Sequence, residues 1–350
     1  MPAIPRAPVH FAEILKTKVW GGRRLERLLG KHLPPKEPVG ESWEVCDHPN
    51  GQSVVDEGPL AGTALHDLVA RDESGLIGRR GALETGSRFP LIFKFVDATQ
   101  PLSVQVHPDD AYAREHGGGD AGKCEAWCVL QAAPGSKIAR GLKPGVTRAS
   151  FASAIRSGAV EGLLNFIEVR RGDVVDIPAG TVHSLGAGVV VAEIQQNSDT
   201  TYRVWDWSRA GLDGKPRELH VDRALDVIRF EEYAIGRPGG GAGTACRAPT
   251  TGLVRPEILV RGRPWHERLV ANDRFTFDRW TATEPFGLRP VEMKSFIILA
   301  CTDGEGALEW EGASRPVRRG DTLLVPGAMK SVTVKPRGRM EWLAMSLPLK

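Results

Sequence analysis

Three polar side chains, Ser103, Gln105 and His107, occupy every second position of the stretch QPLSVQVHPDD, residues 100–110. In a strand, side chains at i, i+2 and i+4 share a face, so these three converge while Leu102, Val104 and Val106 take the other side. A hydroxyl, an amide and an imidazole lined up in this way are either the wet side of an amphipathic surface strand or part of a metal or substrate site. A solvent-facing strand more often carries Lys, Glu or Thr than Gln-x-His followed by Pro. The stretch taken alone leaves both readings open.

A second stretch narrows the choice. Gly172, five residues, then Pro178-x-Gly180-x-x-His183 resembles the second sequence motif of cupin barrels, whose closing His is a metal ligand; Ala187 stands where that motif usually has Asn. Gly and Pro make a tight corner between strands and project His183 into the barrel mouth. His107 and His183 then supply two ligands, and the third should be an acid on an adjacent strand. Glu125 in GKCEAWCVL qualifies, because it shares a face with Trp127 and Val129 in a run with little other use for an acid. Gln105 can add a carbonyl oxygen. Imidazole with carboxylate suits zinc or a similar first-row divalent ion, with a position left open for water or substrate. Each His taken singly reads as a satisfied core or surface residue; together, on matching faces and turns, they favour a metal site. Cys124 and Cys128 share a face with Ala126 and Leu130, which reads as buried thiols rather than half of a zinc site. GGGDAGKC, residues 117–124, falls one residue short of a phosphate loop. That loop follows a strand and opens a helix, whereas here the helix-like DDAYAREHG precedes and a strand follows. What survives is Lys123, two residues from Glu125.

PLSVQVHPDD, GKCEAW, PAGTVHSLG and EIQQNSDTTYRVWDWSR, in this order and spacing, resemble type I mannose-6-phosphate isomerase (phosphomannose isomerase) in its short bacterial form. VWGGRRL, GESWEVCDHPNG and RELHVDRALDVI extend the likeness over residues 10–230, and it continues more weakly beyond. The resemblance implies interconversion of mannose 6-phosphate and fructose 6-phosphate, and one zinc ion on Gln105, His107, Glu125 and His183. It also implies catalytic roles for Arg203, Glu193 and Lys123. Arg203 has a fixed positive charge suited to an enediolate or a phosphate, and Glu193 matches an acid proposed as the base in some members. Ser103, Lys123 and Arg203 are the candidates for sugar or phosphate contacts. Longer members can carry a His immediately before the matching lysine; here that position is Gly122, which leaves the base open. Arg140 and Lys143 could also reach the phosphate, but they read more readily as solvated surface charges. A sugar-phosphate-binding cupin without turnover is the alternative, and Glu193, Lys123 and Arg203 argue against it. An iron-dependent cupin oxygenase has no use for Lys123 or the QQNSDTTYR run.

The elements that must position these residues read as mainly β. The chain has 350 residues, 40 Gly and 25 Pro, with frequent short apolar runs, the mark of many strands and turns. RRGDVVDIPAGTVHSL from Arg170 and RRGDTLLVPGAMKSVT from Arg318 echo each other, which points to a duplicated cupin-type β-barrel (jelly roll) with a few inserted helices. Ser331 stands at the position matching His183, so one site should be live and the other structural. The expected division is a catalytic barrel with helical insertions over 1–235, a Gly/Pro-rich connection over 236–252, and a degenerate barrel over 253–350. Helices are expected in TALHDLVARDESGLIG with Thr63 as N-cap, from about Thr147 to Phe166, and near residues 218–230; Pro49-Asn50-Gly51 reads as a hairpin turn. Forty-six basic and 43 acidic residues in mixed order give a net charge of +3, with no tract for nucleic acid or a membrane surface. No stretch of about 18 apolar residues occurs, no signal-peptide core opens the chain, and the five cysteines are scattered. The expectation is a cytoplasmic monomer or homodimer whose partner is a small sugar phosphate.

Overall fold

A computed structural model describes residues 6–78, 88–116, 119–233 and 253–348. The fold is mainly β, two cupin-type barrels with short helices between strands. In the first barrel a six-stranded antiparallel sheet runs in the spatial order Val174–Ile177, Glu125–Ala132, Val189–Gln196, Leu91–Ala98, Val39–Val45 and Ile14–Gly22. A five-stranded sheet, Leu164–Glu168, Lys137–Leu142, His183–Ser184, Val104–Val106 and Tyr202–Trp205, closes over it.

Every strand of the barrel wall has two jobs, and alternation divides them. In Leu91–Ala98, Phe93 and Phe95 pack outward, while Val96 and Ala98 join Trp20, Trp127, Ile138 and Val175 in the interior. In Val104–Val106 the two valines pack outward among Phe151, Val182 and Leu225, against the helices Arg148–Ser157 and Val221–Val227. Gln105 therefore faces inward.

The echo seen in the sequence recurs in the backbone. Gly172 and Gly320 are both left-handed, at φ +93 and +98. The amides of Arg170 and Arg318 donate to Asp173 and Asp321, at 2.9 and 3.0 Å. The second barrel joins a seven-stranded and a four-stranded sheet around an apolar interior that includes Ile297, Leu299, Leu308, Leu323, Met329 and Trp342.

The helices are shorter than expected. Thr147 caps Arg148–Ser157 with a capping box, but Gly158, left-handed at φ +74, ends it and Phe166 lies in a strand. Leu65–Arg71 has Ala64, not Thr63, at its N-cap, and Val221–Val227 is a two-turn helix followed by a 3₁₀ turn. The hairpin at Pro49-Asn50-Gly51 is present, pairing Asp47 with Gln52 and His48 with Gly51. The connection 236–252 lies outside the described residues. No described helix is long and apolar enough to cross a membrane. Cys128 is a buried thiol that burial pushes up to about 12, so it is protonated and a poor ligand.

The strand Val9–His10 pairs with Leu323 and Leu324 of the second barrel. One hydrophobic core spans both units: Leu91, Phe93, Phe95, Ala192 and Ile194 from the first meet Phe275, Phe277, Phe296, Leu343 and Met345 from the second. The outer face of the large sheet is thus covered by a second sheet rather than by water.

Candidate metal and active site

His183 emerges from the corner Pro178–Gly180, where Gly180 is left-handed at φ +82 and donates its N–H to the His107 carbonyl at 2.9 Å. That bond ties the two histidine-bearing segments together. His183 sits opposite Gln105 in register, so both side chains lie on the inner face of the small sheet. The His107 and His183 Nδ1–H groups donate to the carbonyls of Thr200 and Thr181, each at 2.9 Å. With Nδ1 occupied, the Nε2 lone pair of each ring faces inward. Both aim at Glu125, at 3.4 and 3.2 Å.

The candidate ligand atoms of His107, Glu125 and His183 lie within 4.8 Å of one another, and all three residues are buried. His107 Nε2 and both Glu125 oxygens make no hydrogen bond despite their proximity. Buried polar atoms that converge without hydrogen-bond geometry match what a cation requires. The charges fit as well. Burial, aided by the charge of Lys123, pushes the His107 imidazolium down to about 3. Glu125 stays well below the usual carboxylate range because Lys123 and the two histidines outweigh its burial. A neutral imidazole and a carboxylate are the forms a first-row divalent ion binds.

Gln105 presents its amide nitrogen to His183 Nε2 at 3.3 Å, while its oxygen accepts from Ser103 Oγ at 3.1 Å. A half-turn of the amide brings the oxygen to the ligand side and leaves Ser103 as acceptor. Arg203, opposite Gln105 in register, donates from Nε to Ser103 Oγ at 3.2 Å and from Nη1 to the Glu218 carbonyl at 3.0 Å. Lys123 is buried with its ammonium 3.1 Å from Glu125.

Glu193 stands opposite Trp127 on one side and Lys94 on the other. Trp127 Nε1 donates to it at 3.1 Å and Lys94 Nζ lies 3.1 Å away. Burial and the Glu125 charge push Glu193 up to about 7, against the pull of Lys94 and Lys123. Lys94 itself is raised above its ordinary value, because Glu193 and Glu41 outweigh its burial. Lys94 and Glu41 were not among the residues marked from the sequence. Their signal was available: a lysine in the middle of the apolar strand LIFKFV, and an acid two residues from Trp43. Arg140, expected on the surface, is instead buried and donates from Nε to the Asp176 carbonyl at 2.7 Å. Its register opposite His183 turns it inward. Lys143 is on the surface, donating to the Gly162 carbonyl at 2.7 Å.

The sequence matches the family model "Phosphomannose isomerase type I, catalytic domain" over residues 9–123 and "Mannose-6-phosphate isomerase, cupin domain" over residues 266–344. A mannose-6-phosphate isomerase from Streptococcus mutans is 34% identical over 93% of this chain and 94% of its own length. The chain belongs to the type I mannose-6-phosphate isomerase family. A second relative, a mannose-6-phosphate isomerase from Bacillus subtilis, is 32% identical over 91% of this chain and 93% of its own length. The crystal structure of a mannose 6-phosphate isomerase from Bacillus subtilis superposes with a TM-score of 0.83 at 31% identity, covering 97% of this chain and 99% of that one. A variant of phosphomannose isomerase from Salmonella typhimurium, at 18% identity and a TM-score of 0.72 over 98% and 100% of the two chains, shares the fold. The chain is an enzyme of the isomerase class. The catalytic-domain match ends at Lys123, so roles for Glu125, His183, Glu193 and Arg203 rest on the geometry above.

Proposed function

We propose that the first barrel interconverts mannose 6-phosphate and fructose 6-phosphate, with a zinc ion held by His107, Glu125, His183 and the turned amide of Gln105. The observation that carries the metal is the set of buried, hydrogen-bond-free atoms on His107 and Glu125. When bound, the ion supplies positive charge that favours an electron-rich enediolate.

The chain's own groups do the rest. From the aldose, the C2–H bond breaks, the Glu193 carboxylate takes the proton, and the electron pair becomes the C1–C2 double bond as the C1=O π pair moves onto O1. Glu193 returns that proton to C1 as the carbonyl forms at C2, and the hydroxyl proton of O2 passes to O1. A carboxyl pushed up to about 7 exchanges protons readily near neutral pH. Trp127 and Lys94 hold it from two sides, which fixes its direction of attack. Lys123, placed beside Glu125, donates hydrogen bonds to substrate oxygens. Arg203 and Ser103, already bonded to each other, bind the anionic end of the substrate.

A coupled assay for fructose 6-phosphate formed from mannose 6-phosphate tests the proposal. Zinc-loaded protein is expected to turn over, to lose turnover on exhaustive chelation, and to regain it with zinc. Unchanged turnover after chelation overturns the metal. No turnover in folded, loaded protein supports a binding module instead.

A further inference from the structure

The segment that carries Lys123 is held at each of its backbone N–H groups. Gly122 donates to Asp110 Oδ1 at 2.9 Å, Lys123 to the Pro108 carbonyl at 2.9 Å, and Cys124 to Gln196 Oε1 at 3.0 Å. Gln196 Nε2 donates in turn to Asp110 Oδ1 at 3.1 Å, so two of the three anchors meet at one carboxylate. The fit is close. A Cβ on Gly122 would lie 2.3 Å from the Asp110 nitrogen and 2.4 Å from the Asp109 carbonyl carbon.

The second barrel reaches that carboxylate. Arg274, on the turn between the strands Trp265–Ala271 and Thr276–Ala282, ion-pairs with Asp110 Oδ2. The turn is rigid: Asn272 Oδ1 accepts from the N–H groups of Arg274 and Phe275, both at 2.9 Å. Phe275 is fully buried in the core shared by the two barrels. A guanidinium presented from a turn held at its backbone thus pairs with the Asp110 carboxylate, and the carboxylate holds the chain that bears Lys123.

From this geometry we infer that the second barrel, which has an apolar interior and, among the described residues, no ligand set matching the first, is a positioning device for the active site. Arg274 is its contact and Asp110 the positioning residue through which it acts on Lys123. The inference rests on the role proposed above for Lys123.

The test uses the zinc-loaded full chain, with kcat, KM, zinc content and Tm measured for Arg274→Ala, Arg274→Lys, Asp110→Ala and the Arg274→Ala/Asp110→Ala pair. Arg274→Ala is expected to lower kcat about 5- to 10-fold, with zinc content kept. Arg274→Lys should restore part of the loss, and the double variant should be no slower than Asp110→Ala alone. Unchanged kcat in Arg274→Ala, or losses that simply multiply in the double variant, overturns the inference. If Arg274→Ala does not fold, Arg274→Gln keeps the length without the charge and is judged by the same criteria. Lys123→Met separates the two levels: full activity there sinks the role of Lys123, whereas a slow Lys123→Met beside a fully active Arg274→Ala sinks the positioning device alone.

Discussion

Glu125 and Glu193 are both buried carboxylates in one barrel, and their surroundings drive them apart. Glu125 is surrounded by Lys123 and two imidazoles and stays ionised; Glu193 feels burial and the Glu125 charge and rises to about 7. Pairs separated in this way mark a division of labour between ligand and proton carrier. Glu125→Gln keeps the shape and removes the charge. It is expected to abolish zinc retention on gel filtration and to cut turnover on the order of 100-fold or more. With the carboxylate form of Glu193 as the proposed base, kcat/KM should rise with pH through its titration. A bound dication offsets the Glu125 charge, which moves that limb in the holoenzyme below about 7. A pH profile of the zinc-loaded protein checks this, and Glu193→Gln should lack the limb altogether. Linkage gives a second consequence for the metal-free protein. The folded-state value of Glu193 is raised, so its contribution to stability is fully present below 4.5 and is lost as the pH rises through about 7. His107, pushed down from 6.5 to about 3, acts oppositely: its contribution is present above 6.5 and lost as the pH falls toward 3. Melting temperatures of metal-free wild type and Glu193→Gln across pH 5 to 8 separate the two, the variant losing less stability on the alkaline side.

At the scale of elements, short turns and caps differ in what they control. The corner at Gly180 sets the positions of both histidines, since its N–H bonds the His107 carbonyl and the chain then leads to His183. A Cβ there would lie 2.8 Å from the Val227 carbonyl oxygen, on a residue at φ +82. Gly180→Ala is expected to cost about 1–3 kcal/mol and to weaken zinc binding, read by thermal melts and metal titration. The capping box at Thr147 holds the helix Arg148–Ser157 on the outside of the small sheet. Thr147→Ala should cost about 1 kcal/mol and leave kcat unchanged, because no active-site atom depends on that helix end.

On the scale of the whole molecule, the two barrels are successive in sequence but share one interior. Phe275 is fully buried beneath the turn that carries Arg274, and Phe275→Ala is expected to cost about 3–5 kcal/mol. Residues 1–235 expressed alone would expose the outer face of the large sheet and leave Val9–His10 without its partner strand. That fragment is expected to aggregate or remain molten, as circular dichroism and gel filtration will show. A soluble, cooperatively melting fragment would mean that the first barrel is self-sufficient and the division at 236–252 a true domain boundary.

The sequence by itself determined which side chains share a face, because period-two alternation in Ser103, Gln105 and His107 and the Pro178–His183 corner are local patterns that fix which way side chains point. It also determined the duplicated β fold, since the repeated Arg-Arg-Gly-Asp units carry their turn chemistry with them. Lys94 went unread because its meaning depends on which strands flank it: Glu193 is about a hundred positions along the chain and becomes its neighbour only by sheet register. Arg140 was misread for the same reason, its inward direction being set by pairing with His183. The contact of Arg274 with Asp110 lies further still from any local pattern. Such pairings follow from how two sheets stack over a common core, and no short stretch of sequence encodes that stacking.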